Sequence, residues 1–240
     1  MSDFDINVLK DPLFYKENRL KAHSDHLLFA SEEERSTGAT SLRMCLNGKW
    51  RFAYSVNSNE IDDFYEEDYD YSGWEYIKVP AHIQMEGYDI PHYTNTTYPW
   101  EGREWIVPGE IPSEFNPVAS YITTFEVPSS WGNDDIRISF QGVESGFALW
   151  LNGCYVGYSE NSFDPADFDL TPYIREGVNK LAVRVWKWTS SSWCEDQDFF
   201  RFSGIYRDVF LYPVKKVHMQ DIKIKANVSD DLKNGYFFCI

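Results

Sequence analysis

Positive charge is scarce in this chain: 22 Lys and Arg stand against 38 Asp and Glu, a formal net charge of −16 over 240 residues. No stripe of Lys and Arg offsets that excess, so phosphate backbones and anionic membrane surfaces are repelled. Nucleic acid and membrane are therefore excluded as expected partners; a neutral solute, a cation or another protein fits better. Cysteine is scarce as well. Cys45, Cys154, Cys194 and Cys239 are widely spaced and form no Cys-x-x-Cys pair, which speaks against a zinc site or a disulfide framework. Free thiols suit a reducing compartment. The start, Met1-Ser-Asp-Phe-Asp5, has neither a basic nor an apolar leader segment, and no apolar run is long enough to cross a bilayer. A cytoplasmic location is the expectation. Helical periodicity, internal repeats and low-complexity tracts are also missing.

What the chain has is apolar and aromatic residues, 43% and 18% of the total, enough for one large core or one core and part of a second. They come in short β-type runs separated by turn residues: 50–54, 76–79, 120–127, 136–143, 147–151, 155–158, 180–188 and 209–212. Ile136, Ile138 and Phe140 alternate with Arg137, Ser139 and Gln141, the period of a half-buried strand. Asn152-Gly153 between two runs predicts a two-residue type I′ hairpin. Asp169 to Gly177 holds one capped turn, and Glu32-Glu33-Glu34 reads as solvated surface. Together these predict an all-β sandwich.

Residues 1–45 have mixed polarity and read as an arm laid over a body at 46–214. The loop from Ala81 to Pro117 is long for a sandwich, and loops of that length serve a function or face a partner. It carries His82, His92, Asn95, Trp100 and Trp105. After Pro213 the pattern restarts at 215–240. Ile222, Ile224, Ala226 and Val228 alternate with polar residues, Asn234-Gly235 makes a turn, and a second strand begins at Tyr236. Two strands rarely stand alone, so this stretch is expected to open a further, incomplete domain.

The densest chemistry lies between Trp193 and Val209. Glu195, Asp196 and Asp198 sit among Trp193, Phe199, Phe200 and Phe202, with Arg201 and Arg207 following. Acids this close are costly to bury without cations or donors, and rings this close are costly to expose. Such a segment suits the wall of a polar pocket. On a strand, positions 196 and 198 point the same way, a spacing better suited to a cation than to a pair of catalytic carboxylates. Glu195 and Asp196 are expected to pair with arginines or cap loops, and Arg201 and Arg207 to partner them. His82 and His92 have no carboxylate spacing around them that would make a metal site, and Ser203-Gly204 has no nucleophile frame. Trp100 and Trp105 could stack on sugar faces, though as core or interface anchors they would be ordinary.

The run Glu195-Asp-Gln-Asp-Phe-Phe-Arg-Phe-Ser-Gly-Ile-Tyr-Arg-Asp-Val209 resembles the β-galactosidases of glycoside hydrolase family 2. Four further stretches resemble the family in the same order: Leu46 to Phe52, Val79 to Asp89, His92 to Pro99, and Phe140 to Gly153 with Val156-Gly-Tyr158 and Phe168-Asp-Leu170. The resemblance covers roughly residues 10–213. It implies a jelly-roll, galactose-binding-like sandwich followed by the first strands of an immunoglobulin-like domain. It also implies hydrolysis of terminal β-D-galactose residues by a retaining mechanism, with both catalytic glutamates on a barrel absent from this chain. Retention needs two carboxyl groups about 5 Å apart, so no catalytic residue is assigned here. By motif, Asp198 matches the acid that binds a sodium ion and faces a galactosyl hydroxyl. Asn95 matches the asparagine that reaches the sugar. The family's magnesium belongs to the barrel. The implied partners are a β-galactoside and the rest of the enzyme, in cis or in trans, in an oligomer. Two other classes remain open on the residues alone: a free-standing carbohydrate-binding protein, and a structural subunit joining a barrel-bearing partner.

Overall fold

The computed structural model describes residues 4–57, 63–195 and 198–240, and it is an antiparallel β-sandwich. One sheet has seven strands in the spatial order Lys16–Glu17, Cys154–Glu160, Gly146–Leu151, Val178–Trp186, Val118–Glu126, Gly48–Ser55 and Glu75–Val79. The facing sheet has four: Ala166–Asp169, Asp135–Phe140, Val209–Val214 and Met44–Cys45. The Asn152-Gly153 turn forms as the dipeptide predicts, with both residues at positive φ (52° and 78°). The expected strand 136–143 breaks in two. Gly142 lies so close to Arg207 and Tyr206 that an added Cβ would meet the arginine side chain at 2.8 Å, and pairing resumes at Val143–Glu144 against Gly204–Ile205.

The central strands are apolar on both faces, and the packing explains it. Phe147, Leu149, Leu151, Leu181, Val183 and Val185 point between the sheets, against Ile138, Phe140, Phe168 and Leu211. The alternate residues Ala148, Trp150, Ala182 and Trp186 point outward into a second cluster. That outer cluster is roofed by Phe4, Ile6, Val8 and Leu9 and by Phe64 and Trp74. The Phe4 ring stacks on Trp186 at 5.2 Å and lies 5.4 Å from Tyr158. Lys16–Glu17 then joins the sheet edge beside Ser159 and Tyr158. Each large aromatic buried this way contributes on the order of 2 kcal/mol.

Two local readings change. Glu32–Thr37 is a short α-helix whose Ser31 cap accepts from the Glu34 amide and whose Gly38 stop is left-handed. No helix residue is buried, so no apolar stripe marked it in the sequence. At the other end, Ile224–Val228 and Gly235–Cys239 form the hairpin, but its loop runs over 229–234 with Leu232 at φ 59°, and Gly235 is already in the strand. Every residue of both strands is exposed. Among the described residues no helix is long and apolar enough to cross a membrane.

Candidate functional site

The 81–117 loop and the 198–205 segment are zipped together. The Ala81 amide donates to the Ile205 carbonyl at 2.9 Å and the Ile83 amide to the Ser203 carbonyl at 3.0 Å. Gln84, buried, completes the seam: its Oε1 accepts from the Ser203 amide at 3.0 Å and its Nε2 donates to the Ser203 hydroxyl at 2.9 Å. Gly204 is required here. It sits at φ 112°, and a Cβ would meet Ile83 Cγ2 and Tyr121 Oη at 2.9 Å.

Beyond the seam the same two segments form an antiparallel ribbon, pairing Arg201 with His92, Phe200 with Tyr93 and Phe199 with Thr94. Continued by one residue, this register sets Asp198 opposite Asn95. Both are exposed. The Tyr93 hydroxyl donates to Asp198 Oδ1 at 2.5 Å. That bond raises the Tyr93 pKa, because the phenolate would face a carboxylate. Two residues 103 positions apart in the chain are thus brought to one tip, with the Tyr93 and Phe200 rings 5.4 Å apart beside them.

Under the ribbon, Arg201 is buried, donates to the Glu195 carbonyl and lies 4.4 Å over the Phe199 ring. The Glu195 carboxylate caps a loop, accepting from the Ser162 amide at 2.9 Å and its hydroxyl at 2.7 Å. Arg207 donates to the Phe163 carbonyl at 2.7 Å and pairs with no acid of this run among the described residues. Asp196 lies outside the described residues. Trp100 is buried in a cluster with Trp193 at 4.8 Å and Tyr98 at 5.3 Å, which makes it an anchor of the loop. Trp105 is 93% exposed.

Two features of the site, the Lys187–Asp89 pair and the Glu144 carboxyl, were not singled out from the residues. Lys187 and Asp89 form an ion pair, each side chain 1% exposed, and Gln84 Nε2 also donates to Asp89 Oδ2 at 2.8 Å. Burial lowers the Lys187 pKa and Asp89 opposes the shift. A lysine inside the apolar run Val185-Trp-Lys-Trp188 was the available signal, since it must find an acid. The His82 ring stacks on Tyr206 at 4.8 Å and lies tilted against Phe202 at 4.6 Å, and burial lowers its pKa. Glu144, 8% exposed, is pushed up to about 7 by burial. His92 is half-buried near Trp188, and its pKa is lowered first by burial and then by Arg103 and Lys187.

For a cation the tip offers hard oxygens, the Asp198 carboxylate and the Tyr93 hydroxyl, the donor chemistry sodium takes. Among the described residues no group of three or more His, Cys, Asp or Glu could hold a metal alone. The tip fits as part of a coordination shell. A separate cavity of about 280 Å³ lies between the 20–28 segment and the outer face of the four-stranded sheet, lined by His23, Asp167, Phe210 and Tyr212 among others, and includes no ribbon residue.

Residues 43–215 match the family model described as glycosyl hydrolases family 2, sugar binding domain. The chain belongs to that family. It is 51% identical over 232 residues to a beta-galactosidase of Clostridium acetobutylicum, covering 96% of this chain and 26% of that relative. It is 40% identical over 245 residues to a beta-galactosidase large subunit of Lactobacillus helveticus, covering 97% and 39%. A solved beta-glucuronidase from an uncultured Clostridium sp. has a TM-score of 0.57 at 23% identity, over 90% of this chain and 35% of that one, a likeness of fold. The chain therefore corresponds to the portion of beta-galactosidases that carries the sugar binding domain, and it spans about a quarter to two fifths of the length of these relatives.

Proposed function

We propose that the chain is the sugar-binding portion of a β-galactosidase that removes terminal non-reducing β-D-galactose residues from lactose-type substrates. In this reading 1–45 is an arm, 46–214 the sugar-binding jelly roll and 215–240 the start of an immunoglobulin-like domain. The catalytic glutamates come from a barrel outside this chain, and the complete enzyme is a cytoplasmic oligomer. Asn95 contacts the sugar through its amide, which can both donate and accept. Asp198 faces a galactosyl hydroxyl and gives one oxygen to a sodium ion whose other ligands lie elsewhere. Sodium would supply a fixed positive charge that orients hydroxyl oxygens; Tyr93 holds the carboxylate in place for it.

The observation that supports this most is the ribbon, whose exposed end carries Asn95 next to the paired Thr94 and Asp198 next to the paired Phe199. An exposed aromatic-flanked carboxylate held by a tyrosine hydroxyl suits a wall completed by another domain. The exposed apolar residues Phe237, Phe238 and Ile240 fit a chain that meets further protein, in cis or in trans. The test is hydrolysis of a chromogenic β-galactoside. The purified 240-residue chain gives no turnover, while the enzyme that contains it does and loses most of it on Asn95→Ala. Turnover by the chain alone, or an Asn95→Ala enzyme with unchanged kcat/KM, contradicts the reading.

A further inference from the structure

Glu144 sits behind the ribbon and is used by none of the roles above. Its Oε1 accepts from the Phe202 amide at 3.2 Å, one residue past the ribbon strand 199–201 that follows Asp198. Its Oε2 faces His82 Nδ1 at 3.9 Å, somewhat beyond hydrogen-bond length. That nitrogen is buried and has no hydrogen-bond partner among the described residues. The imidazole is not free to turn away, because the Tyr206 ring stacks on it at 4.8 Å and the Phe202 ring packs against it at 4.6 Å. One carboxyl group thus touches both the backbone that carries the site and a histidine with an unused nitrogen.

We propose that Glu144 and His82 act as one proton-sharing pair that positions the strand leading from Asp198. In the neutral pair the proton is on Glu144 Oε2 and directed at the lone pair of His82 Nδ1, with the ring hydrogen on Nε2. When the proton leaves to water, the carboxylate carries a full charge, and its bond from the Phe202 amide becomes charge-assisted and shorter. Phe202 is then drawn toward Glu144, and with it the strand whose far end is Asp198.

The surroundings set where this happens. Lys187 at the end of the Val178–Trp186 strand and Arg201 on the ribbon favour the charged carboxylate, and Glu195 opposes it. Asp89 neutralises part of the Lys187 charge. The Tyr206 hydroxyl donates to the Ser162 carbonyl at 2.6 Å, so it keeps its proton. Burial dominates and raises the Glu144 pKa to about 7, while burial lowers that of His82. The two shifts leave the pair neutral between the lowered His82 midpoint and about 7, and Glu144 is the group that ionises as pH rises through 7.

The consequence for sugar binding rests on the reading of Asp198 given above; the pairing itself does not, so the two fail separately. The test is an NMR titration of the full 240-residue chain from pH 5 to 9, following the His82 ring, the Phe202 and Asp198 amides and the Glu144 carboxyl carbon. All four are expected to share a midpoint near 7, the ionisation of Glu144. In Glu144→Gln the Phe202 and Asp198 amides stay flat through that range and His82 keeps a single inflection below its ordinary 6.5. His82→Gln, a second variant that leaves the carboxyl in place, shifts the Glu144 midpoint by more than about half a unit. A Phe202 amide that does not respond in the wild type, the same response in Glu144→Gln, or an unmoved midpoint in His82→Gln overturns the proposal. An Asp198 amide that ignores the Glu144 midpoint overturns its positioning role.

Discussion

The Tyr93 hydroxyl donates to the Asp198 carboxylate at 2.5 Å across a ribbon of two short strands. The partners are on segments that only the folded sandwich brings together. The tyrosine fixes the direction of a carboxylate that is otherwise exposed, and removing its oxygen leaves that carboxylate free to rotate. In the complete enzyme Tyr93→Phe is expected to lower kcat/KM for a β-galactoside about 10-fold, the usual scale for losing an outer-shell partner of a binding carboxylate. Steady-state kinetics check this; an unchanged kcat/KM would show that Asp198 needs no such support.

Lys187 and Asp89 are buried as a pair, and removing one leaves the other charged in an apolar setting. Lys187→Met is expected to lower unfolding free energy by about 3–5 kcal/mol. The double variant Lys187→Met with Asp89→Leu should lose less than the lysine single variant, because no orphan charge remains. Urea denaturation of the three proteins measures it.

The Glu144 carboxyl has a folded pKa of about 7 against an ordinary value of 4.5. Its burial is harmless while it is protonated in both states, below about 4.5. As pH rises from there through 7, the unfolded chain ionises first and stability is lost. Glu144→Gln removes that loss while keeping an oxygen for the Phe202 amide. Its stability relative to wild type should therefore rise between pH 5 and 8, by on the order of 3 kcal/mol at the top. His82 works in the opposite direction: its lowered pKa means stability lost as pH falls below about 6.5. Denaturation midpoints at pH 5 and 8 separate the two.

The 224–239 hairpin contributes no buried residue. Its nearest ties to the body are the Ile222 amide on the Ser24 hydroxyl at 2.8 Å and the Ser24 amide on Asp221 at 2.9 Å. Deleting residues 223–240 leaves those in place. The melting temperature is expected to move by less than about 3 °C, and binding of a hydrophobic dye to fall as Phe237 and Phe238 go. Calorimetry and dye fluorescence report both.

The sandwich was legible because strand periodicity and the Asn152-Gly153 pair are local signals, and the core residues of 147–151 and 181–185 follow them. The helix at Glu32–Thr37 carried cap and stop residues but no apolar stripe, so its glutamates read only as surface. The site was legible in part. The acids and rings of 193–202 marked that segment by density alone, though they suggested a pocket wall where the structure has an exposed ribbon tip, and the Asn95 and Asp198 assignments came from resemblance. The ribbon that brings those two to one end joins residues about a hundred positions apart, and the Asp89–Lys187 and His82–Glu144 contacts span 98 and 62 positions. No local period encodes such pairings; they exist because the 81–89 loop is stitched to Ser203 and Ile205.

Everything assigned to the tip depends on one carboxylate meeting a cation and a sugar. The direct measurement is a sodium titration of β-galactoside hydrolysis by the complete enzyme and its Asp198→Asn variant. Sodium is expected to raise wild-type activity, and the variant to be at least about 100-fold slower and flat to sodium. A variant with the wild-type sodium response would place the ion elsewhere and contradict it.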